Sequence, residues 1–198
     1  MNDIRKSEII RKTSETEITL SLNIDGNGVG DIDSGIPFLD HMLHLLAVHS
    51  LCDLELKARG DLRVDDHHTV EDIGICLGEA LKQAIADKER IHRYGAAAIP
   101  MDEALAQAVL DFSGRPYFVY KVQIGKEQVG GLAVESVPEF FQALVNHAGI
   151  NLHIELIRGE NAHHCIEAIF KAFAHALREA AAFEPRIKGV WSSKGTLA

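Results

Sequence analysis

One five-residue pattern occurs twice in this chain. His67-His68-Thr69-Val70-Glu71 returns as His163-His164-Cys165-Ile166-Glu167, 96 residues further on. A chain of 198 residues leaves little room between two such copies, so the simplest fold that carries both is one supersecondary unit built twice. The repeat extends well beyond the motif. Glu15–Gly26 (ETEITLSLNIDG) and Glu103–Gly114 (EALAQAVLDFSG) both alternate apolar and polar residues and end in a turn, as half-buried strands do. Glu15 thereby aligns with Glu103. Phe38–Leu46 (FLDHMLHLL) and Val137–Leu144 (VPEFFQAL) read as amphipathic helices, and a shift of 98 sets His41 on Glu139, Leu46 on Leu144 and His49 on His147. Leu54–Gly60 matches His153–Gly159 as a second strand ending in Arg-Gly. Ile73, Leu77 and Leu81 align with Ile169, Phe173 and Leu177 on one face of a long helix in each half. Asp66 and Asn161 stand where N-caps belong.

The expected architecture is therefore α+β, with two pseudo-symmetric repeats, residues 1–90 and 91–198. Each is a roughly four-stranded sheet with helices packed on one face, and the two form one compact unit. The element order reads strand-strand-helix-strand-strand-helix in each half, with the boundary near Glu89–Tyr94. The Gly26–Gly30 run (GNGVG) follows a strand but precedes no clear helix, so it reads as a hairpin turn rather than a nucleotide loop.

Charge and cysteine content narrow the function. A formal net charge of -9 argues against nucleic acid as the main partner, because phosphate contacts need a basic face. Cys52, Cys76 and Cys165 are odd in number and widely spaced, which suits a reduced, cytoplasmic protein. Met1–Lys12 has no apolar core of signal-peptide length, and no apolar run is long enough to span a bilayer.

The two HHxxE motifs carry the chemistry. Residues three or four apart share a helix face, whereas adjacent ones diverge by about 100°. His67 or His68 can therefore join Glu71 on one ion, while the two histidines cannot easily chelate the same ion. Each motif then serves two metals, or one metal plus the substrate, and the same holds for His163, His164 and Glu167. Imidazole and carboxylate without thiolate favour Mn, Fe, Zn, Co or Ni. Helix capping and surface exposure are the bland alternatives for a single copy; the second copy, with His41 and Glu139 aligned beside it, argues for metal. Arg93, Arg115, Lys171, Ser192, Ser193 and Lys194 could together hold a phosphate, although each taken singly reads equally as a solvated surface residue. Glu15 reads as an exposed strand residue or as an acid/base group.

Assembled in order, these segments closely resemble the imidazoleglycerol-phosphate dehydratase family. The carrying stretches are Arg11–Thr16 (RKTSET), Ser34–Leu43 (SGIPFLDHML), Asp65–Asp72 (DDHHTVED), Asp111–Pro116 (DFSGRP), His163–Phe173 (HHCIEAIFKAF) and Ser192–Gly195 (SSKG). The resemblance covers nearly the whole chain. It implies a monofunctional hydro-lyase of histidine biosynthesis that converts imidazoleglycerol phosphate to imidazoleacetol phosphate. It also implies two Mn2+ ions per active site and a large homo-oligomer, about twenty-four subunits, with active sites at subunit contacts. The reaction needs such help, because the proton on the side-chain C2 is not next to a carbonyl. A metal-bound imidazolate would expel the neighbouring hydroxyl and pass through a diazafulvene-like intermediate.

On this resemblance the metal ligands are His41, His67, His68, Glu71, Glu139, His163, His164 and Glu167. Glu139 departs from the pattern: many relatives have His before the Phe-Phe pair, and the carboxylate is the expected ligand here. Glu15 is the first choice for acid/base work and also for substrate contact, with His41 beside it on the substrate. His49 is second for acid/base work, and Glu71 and Glu167 can shuttle protons while ligated. Arg93, Arg115, Lys171, Ser192, Ser193 and Lys194 would hold the phosphate. Two rival readings make different predictions. A dinuclear phosphate-ester hydrolase would release inorganic phosphate, and a metal-stapled assembly protein would be indifferent to Glu15→Gln.

Overall fold

Alternating apolar residues build the strands of this protein, and four amphipathic helices cover them. The computed structural model describes residues 5–197, so the first four residues of the Met1–Lys12 stretch lie outside it. The first half runs β1 (Lys6–Lys12), β2 (Thr16–Asn23), β3 (Gly30–Asp33), α1 (Pro37–Ser50), β4 (Asp53–Gly60) and α2 (His67–Ile85). The second half repeats it: β5 (Tyr94–Met101), β6 (Ala104–Asp111), β7 (Tyr117–Lys121), a small β8 (Gln128–Val129) and β9 (Leu132–Ala133) hairpin, α3 (Ser136–Ala148), β10 (Asn151–Arg158) and α4 (Ala162–Ala181).

The two main sheets have the same strand order, β1-β2-β4-β3 and β5-β6-β10-β7, and the fold is α+β with two repeated halves. Three strands of the main sheet precede the first helix of each half, with the β8–β9 hairpin added in the second, and one lies between the helices, which corrects the expected element order. The difference is topological. β3 pairs parallel with β4, and β7 with β10. Parallel neighbours need a crossover, and α1 and α3 supply it. The Gly26–Gly30 run is consequently not a hairpin turn, because β4 separates β2 from β3. Asp53, at the start of β4, holds the run by accepting the N–H groups of Asn27 and Val29 at 2.8 and 3.1 Å.

Helices from the two halves pack on each other, α2 against α3 and α1 against α4, while α2 lies on β1, β2 and β4 and α4 on β5, β6 and β10. One core results, with Phe140, Phe141, Phe170 and Phe173 at its aromatic centre. Glycines bring α2 and α3 together. A Cβ on Gly78 would stand 2.5 Å from the Leu144 carbonyl oxygen, and one on Gly74 would stand 2.4 Å from that of Phe140. Gly78→Ala should thus destabilise the fold by about 1–3 kcal/mol through overpacking, seen as a lower midpoint in thermal or denaturant unfolding. An unchanged midpoint would show that the helices separate freely. The three cysteines are buried and unpaired, and among the described residues no helix is long and apolar enough to cross a membrane.

Candidate metal centre

The cross-packing of α1 and α4 brings residues from both halves to one point. His41, one turn into α1, meets His163 and Glu167 on the first turns of α4. One ligand atom from each lies within 4.8 Å of the others. Glu167 Oε2 is 3.2 Å from His163 Nε2 and 3.4 Å from His41 Nε2. The i, i+4 spacing of the second motif produces the first contact, as the helix period requires. The Glu167 carboxylate is nearly buried, at 8% exposure, against 44% and 42% for the two histidines. Its other oxygen accepts from Lys171 Nζ at 2.5 Å. Burial pushes the Glu167 pKa up, but the Lys171 ammonium, His163 and His41 outweigh it and hold the group below the ordinary carboxylate value. An ionised carboxylate with one oxygen facing two imidazole Nε2 atoms is a donor set suited to a divalent transition ion.

The start of α4 is locked by Asn161, whose side chain accepts the His163 N–H at 2.9 Å. Asp66 does not do the same for α2, contrary to expectation. Its carboxylate instead accepts Ala133 N–H at 2.6 Å and Ser136 Oγ–H at 2.9 Å, tying α2 to the entry of α3. Asp65 takes the His67 N–H in its place, at 3.0 Å.

The first motif is more open. His67 Nε2 lies 3.8 Å from Glu71 Oε2, and both side chains are 45% exposed. Among the described residues no third ligand closes on them. Glu139 is half-buried on α3, which packs against α2 as α1 packs against α4. Within each HH pair the rings diverge, with centroids 6.1 and 6.2 Å apart and planes at 84° and 78°. His68 and His164 therefore leave the ligand clusters of their neighbours. His68 Nδ1 pairs with Asp61 at 3.1 Å, and His164 Nδ1 with Glu103 at 2.7 Å. The bond from His164 holds Glu103 at a pKa of about 2 and raises that of the histidine. Asp61 and Glu103 escaped the sequence reading. The signal was present, because Glu103 is the repeat mate of Glu15, and an acid follows Arg-Gly in both halves.

Glu15 sits at the β1–β2 turn, which the Arg11–Thr16 stretch pins to α2. Thr13 Oγ1 accepts the N–H groups of Glu15 and Thr16. Thr16 donates to the buried Asp72 of α2, and Arg11 pairs with the same carboxylate at 2.9 Å. Glu15 is left half-exposed, 3.9 Å from His68 Nδ1. His49 is not one of the three clustered ligands; two turns along α1 from His41, it is tilted against His175 of α4 at 5.5 Å, and burial, with the nearby Lys171 ammonium, lowers its pKa.

Arg93, Arg115, Ser192, Ser193 and Lys194 line one cavity of about 440 Å3. Arg93 is committed within it, held bidentate by Asp111 at 2.7 and 3.1 Å and donating to the Trp191 carbonyl at 2.9 Å. Lys171 does not line this cavity in the single subunit; it serves Glu167. A larger cavity, about 900 Å3, is lined by Tyr120 of β7, the loop residues 122–127, Val134, Glu135 and Pro138, and holds none of the candidate ligands.

A duplicated α+β protein with a His/Glu cluster shared between its halves belongs among enzymes that could use a bound metal ion. Comparison places it more narrowly. A family profile described as imidazoleglycerol-phosphate dehydratase matches residues 34–177. The chain is 58% identical over 197 residues to the imidazoleglycerol-phosphate dehydratase of Syntrophomonas wolfei, covering all of both chains. It is 60% identical over 193 residues to that of Pelobacter propionicus, covering 98% of this chain and 99% of that one. The crystal structure of the Staphylococcus aureus enzyme superposes with a TM-score of 0.83 at 44% identity, covering 90% of this chain and 99% of that one. A Pyrococcus furiosus structure, in complex with (S)-C348, gives 0.82 at 40%, covering 96% and 100%. The chain belongs to the imidazoleglycerol-phosphate dehydratase family. It is a hydro-lyase of histidine biosynthesis whose substrate is a small phosphate ester.

Proposed function

We propose that this protein dehydrates imidazoleglycerol 3-phosphate to imidazoleacetol phosphate with divalent metal, Mn2+ foremost, at two ions per site. The convergence of His41, His163 and Glu167 donor atoms from two halves of the chain carries this reading. The repeat supports a second, equivalent set in His67, Glu71 and Glu139, since α3 meets α2 as α1 meets α4. His68 and His164 would ligate through the Nε2 atoms opposite their carboxylate-bound Nδ1. A bound divalent ion would supply a positive centre that stabilises the substrate's imidazole ring as its anion.

The chain's own groups do the rest. Glu15 would accept the C2 proton, with His49 as second candidate and Glu71 and Glu167 able to carry a proton while ligated. His41 would border the substrate ring. The hydroxyl would leave from the carbon next to the ring as water, taking up the proton lost from the ring nitrogen; the C2 proton would pass through Glu15 back to the ring nitrogen, and the resulting enol becomes the ketone. Arg115, Ser192, Ser193 and Lys194 would bind the phosphate, with Arg93 shaping the cavity wall and Lys171 joining from another copy. The half-exposed His67, His68 and Glu71 support active sites completed between subunits of a large homo-oligomer, about twenty-four copies as the family resemblance implies.

Metal-stripped protein reloaded with Mn2+ and supplied with imidazoleglycerol phosphate should form ketone at full rate, and the stripped protein should not. Release of inorganic phosphate without ketone would instead establish a phosphate-ester hydrolase.

A further inference from the structure

The two halves hold their second histidines with non-equivalent carboxylates. Each half has an acid before its central strand, Glu15 or Glu103, and an acid after its Arg-Gly turn, Asp61 or Glu160. In the second half Glu103 does the holding. It binds His164 Nδ1 at 2.7 Å and accepts the backbone N–H of Asn161 at 2.8 Å, which anchors it to the entry of α4. Glu160 is exposed. In the first half the roles are exchanged. Asp61 binds His68 Nδ1 at 3.1 and 3.3 Å, and Glu15, the repeat mate of Glu103, stands back at 3.9 Å. The Glu15 carboxylate makes no hydrogen bond among the described residues and is 51% exposed.

We infer that Asp61 and Glu103 are positioning residues that orient His68 and His164 with Nε2 outward, and that Asp61, by taking over this task in the first half, leaves Glu15 free to act on substrate. A carboxylate accepting Nδ1–H fixes the ring tautomer and makes Nε2 the basic nitrogen. The three histidines that meet glutamates on their own or a neighbouring helix, His41, His67 and His163, also present Nε2. All five candidate imidazoles then offer the same nitrogen. A charged carboxylate bound tightly to a histidine is a poor proton acceptor, so a Glu15 engaged like Glu103 would lose its use as a base. The longer Gly60–His67 linker gives the first half the reach to bring Asp61 onto His68.

This inference rests on the reading that both HH pairs bind metal, and Mn2+ affinity tests it separately from turnover. Metal-stripped protein is titrated with manganese chloride, with free Mn2+ followed by electron paramagnetic resonance. Asp61→Ala and Glu103→Ala should each weaken binding about 10–100-fold, the range for partners of ligating histidines. Asp61→Asn and Glu103→Gln should recover most of the loss, because an amide oxygen still accepts Nδ1–H. Glu15→Ala and Glu160→Ala should bind like the unaltered protein. Unaltered affinity in both the Asp61 and Glu103 alanine variants overturns the inference, as does equal weakening by Glu15→Ala. If an alanine variant fails to fold by circular dichroism, Asp61→Glu and Glu103→Asp move the carboxylate by one methylene and must weaken Mn2+ binding in its place. Protein that binds Mn2+ in this pattern yet makes no ketone sinks the proposed function alone.

Discussion

Replacing Glu167 by Gln should cost turnover more than about a hundredfold, beyond the 10–100-fold loss typical of groups that only support a metal ligand. Two effects act together. The amide removes the anionic oxygen that faces His41 and His163, and with it the charge that draws a divalent ion to the site. It also leaves Lys171, only 16% exposed, without its carboxylate partner, and a poorly solvated ammonium that loses its counter-charge is strongly destabilising. Metal content per subunit, measured by elemental analysis after dialysis, should fall together with activity. A Glu167→Gln protein that keeps both its metal and its rate would remove this cluster from the active site.

Glu15→Gln should behave differently. Turnover should fall about 10²–10⁴-fold, the contribution expected of a general acid or base, while Mn2+ affinity and particle size stay as they were. The structural reason is that the Glu15 side chain supports nothing. The turn beneath it is held by Thr13, Thr16, Arg11 and Asp72, and the carboxylate itself is exposed. Steady-state rates beside a metal titration of the same preparation check this. Full activity in Glu15→Gln would pass the role to His49 or to a ligated glutamate.

Much of this arrangement is legible in the chain. The 3.6-residue period places all four helices, because each buries one continuous apolar stripe, and the duplicated HHxxE motif points to the metal chemistry before any coordinates. Strand order is not legible in the same way. β3 (GDID) has a half-buried and exposed alternation with no fully buried side chain, so its sequence looks like the polar turn that precedes it. Its place at the sheet edge is set by pairing with β4, a long-range contact that local pattern does not encode. Asp66 misleads for a related reason. Its position before a helix suggests a cap, but the carboxylate is taken by two donors from the α3 entry, far away in the chain. Asp61 and Glu103 lie at turns, where no periodicity marks a side chain as aimed inward.

The meeting of α1 with α4 has one more consequence. Because His41 comes from one half and Glu167 from the other, neither half alone contains this cluster. A half-length chain of this topology would have to find a second copy of itself to assemble it, and dilution would separate the pair. Fusion of the halves makes that encounter intramolecular, at an effective concentration set by the short connection between Ile85 and Tyr94. It also ends the obligation of the two copies to be identical, so an acid such as Glu15 can diverge in its task from Glu103 without altering both ends of a symmetric pair.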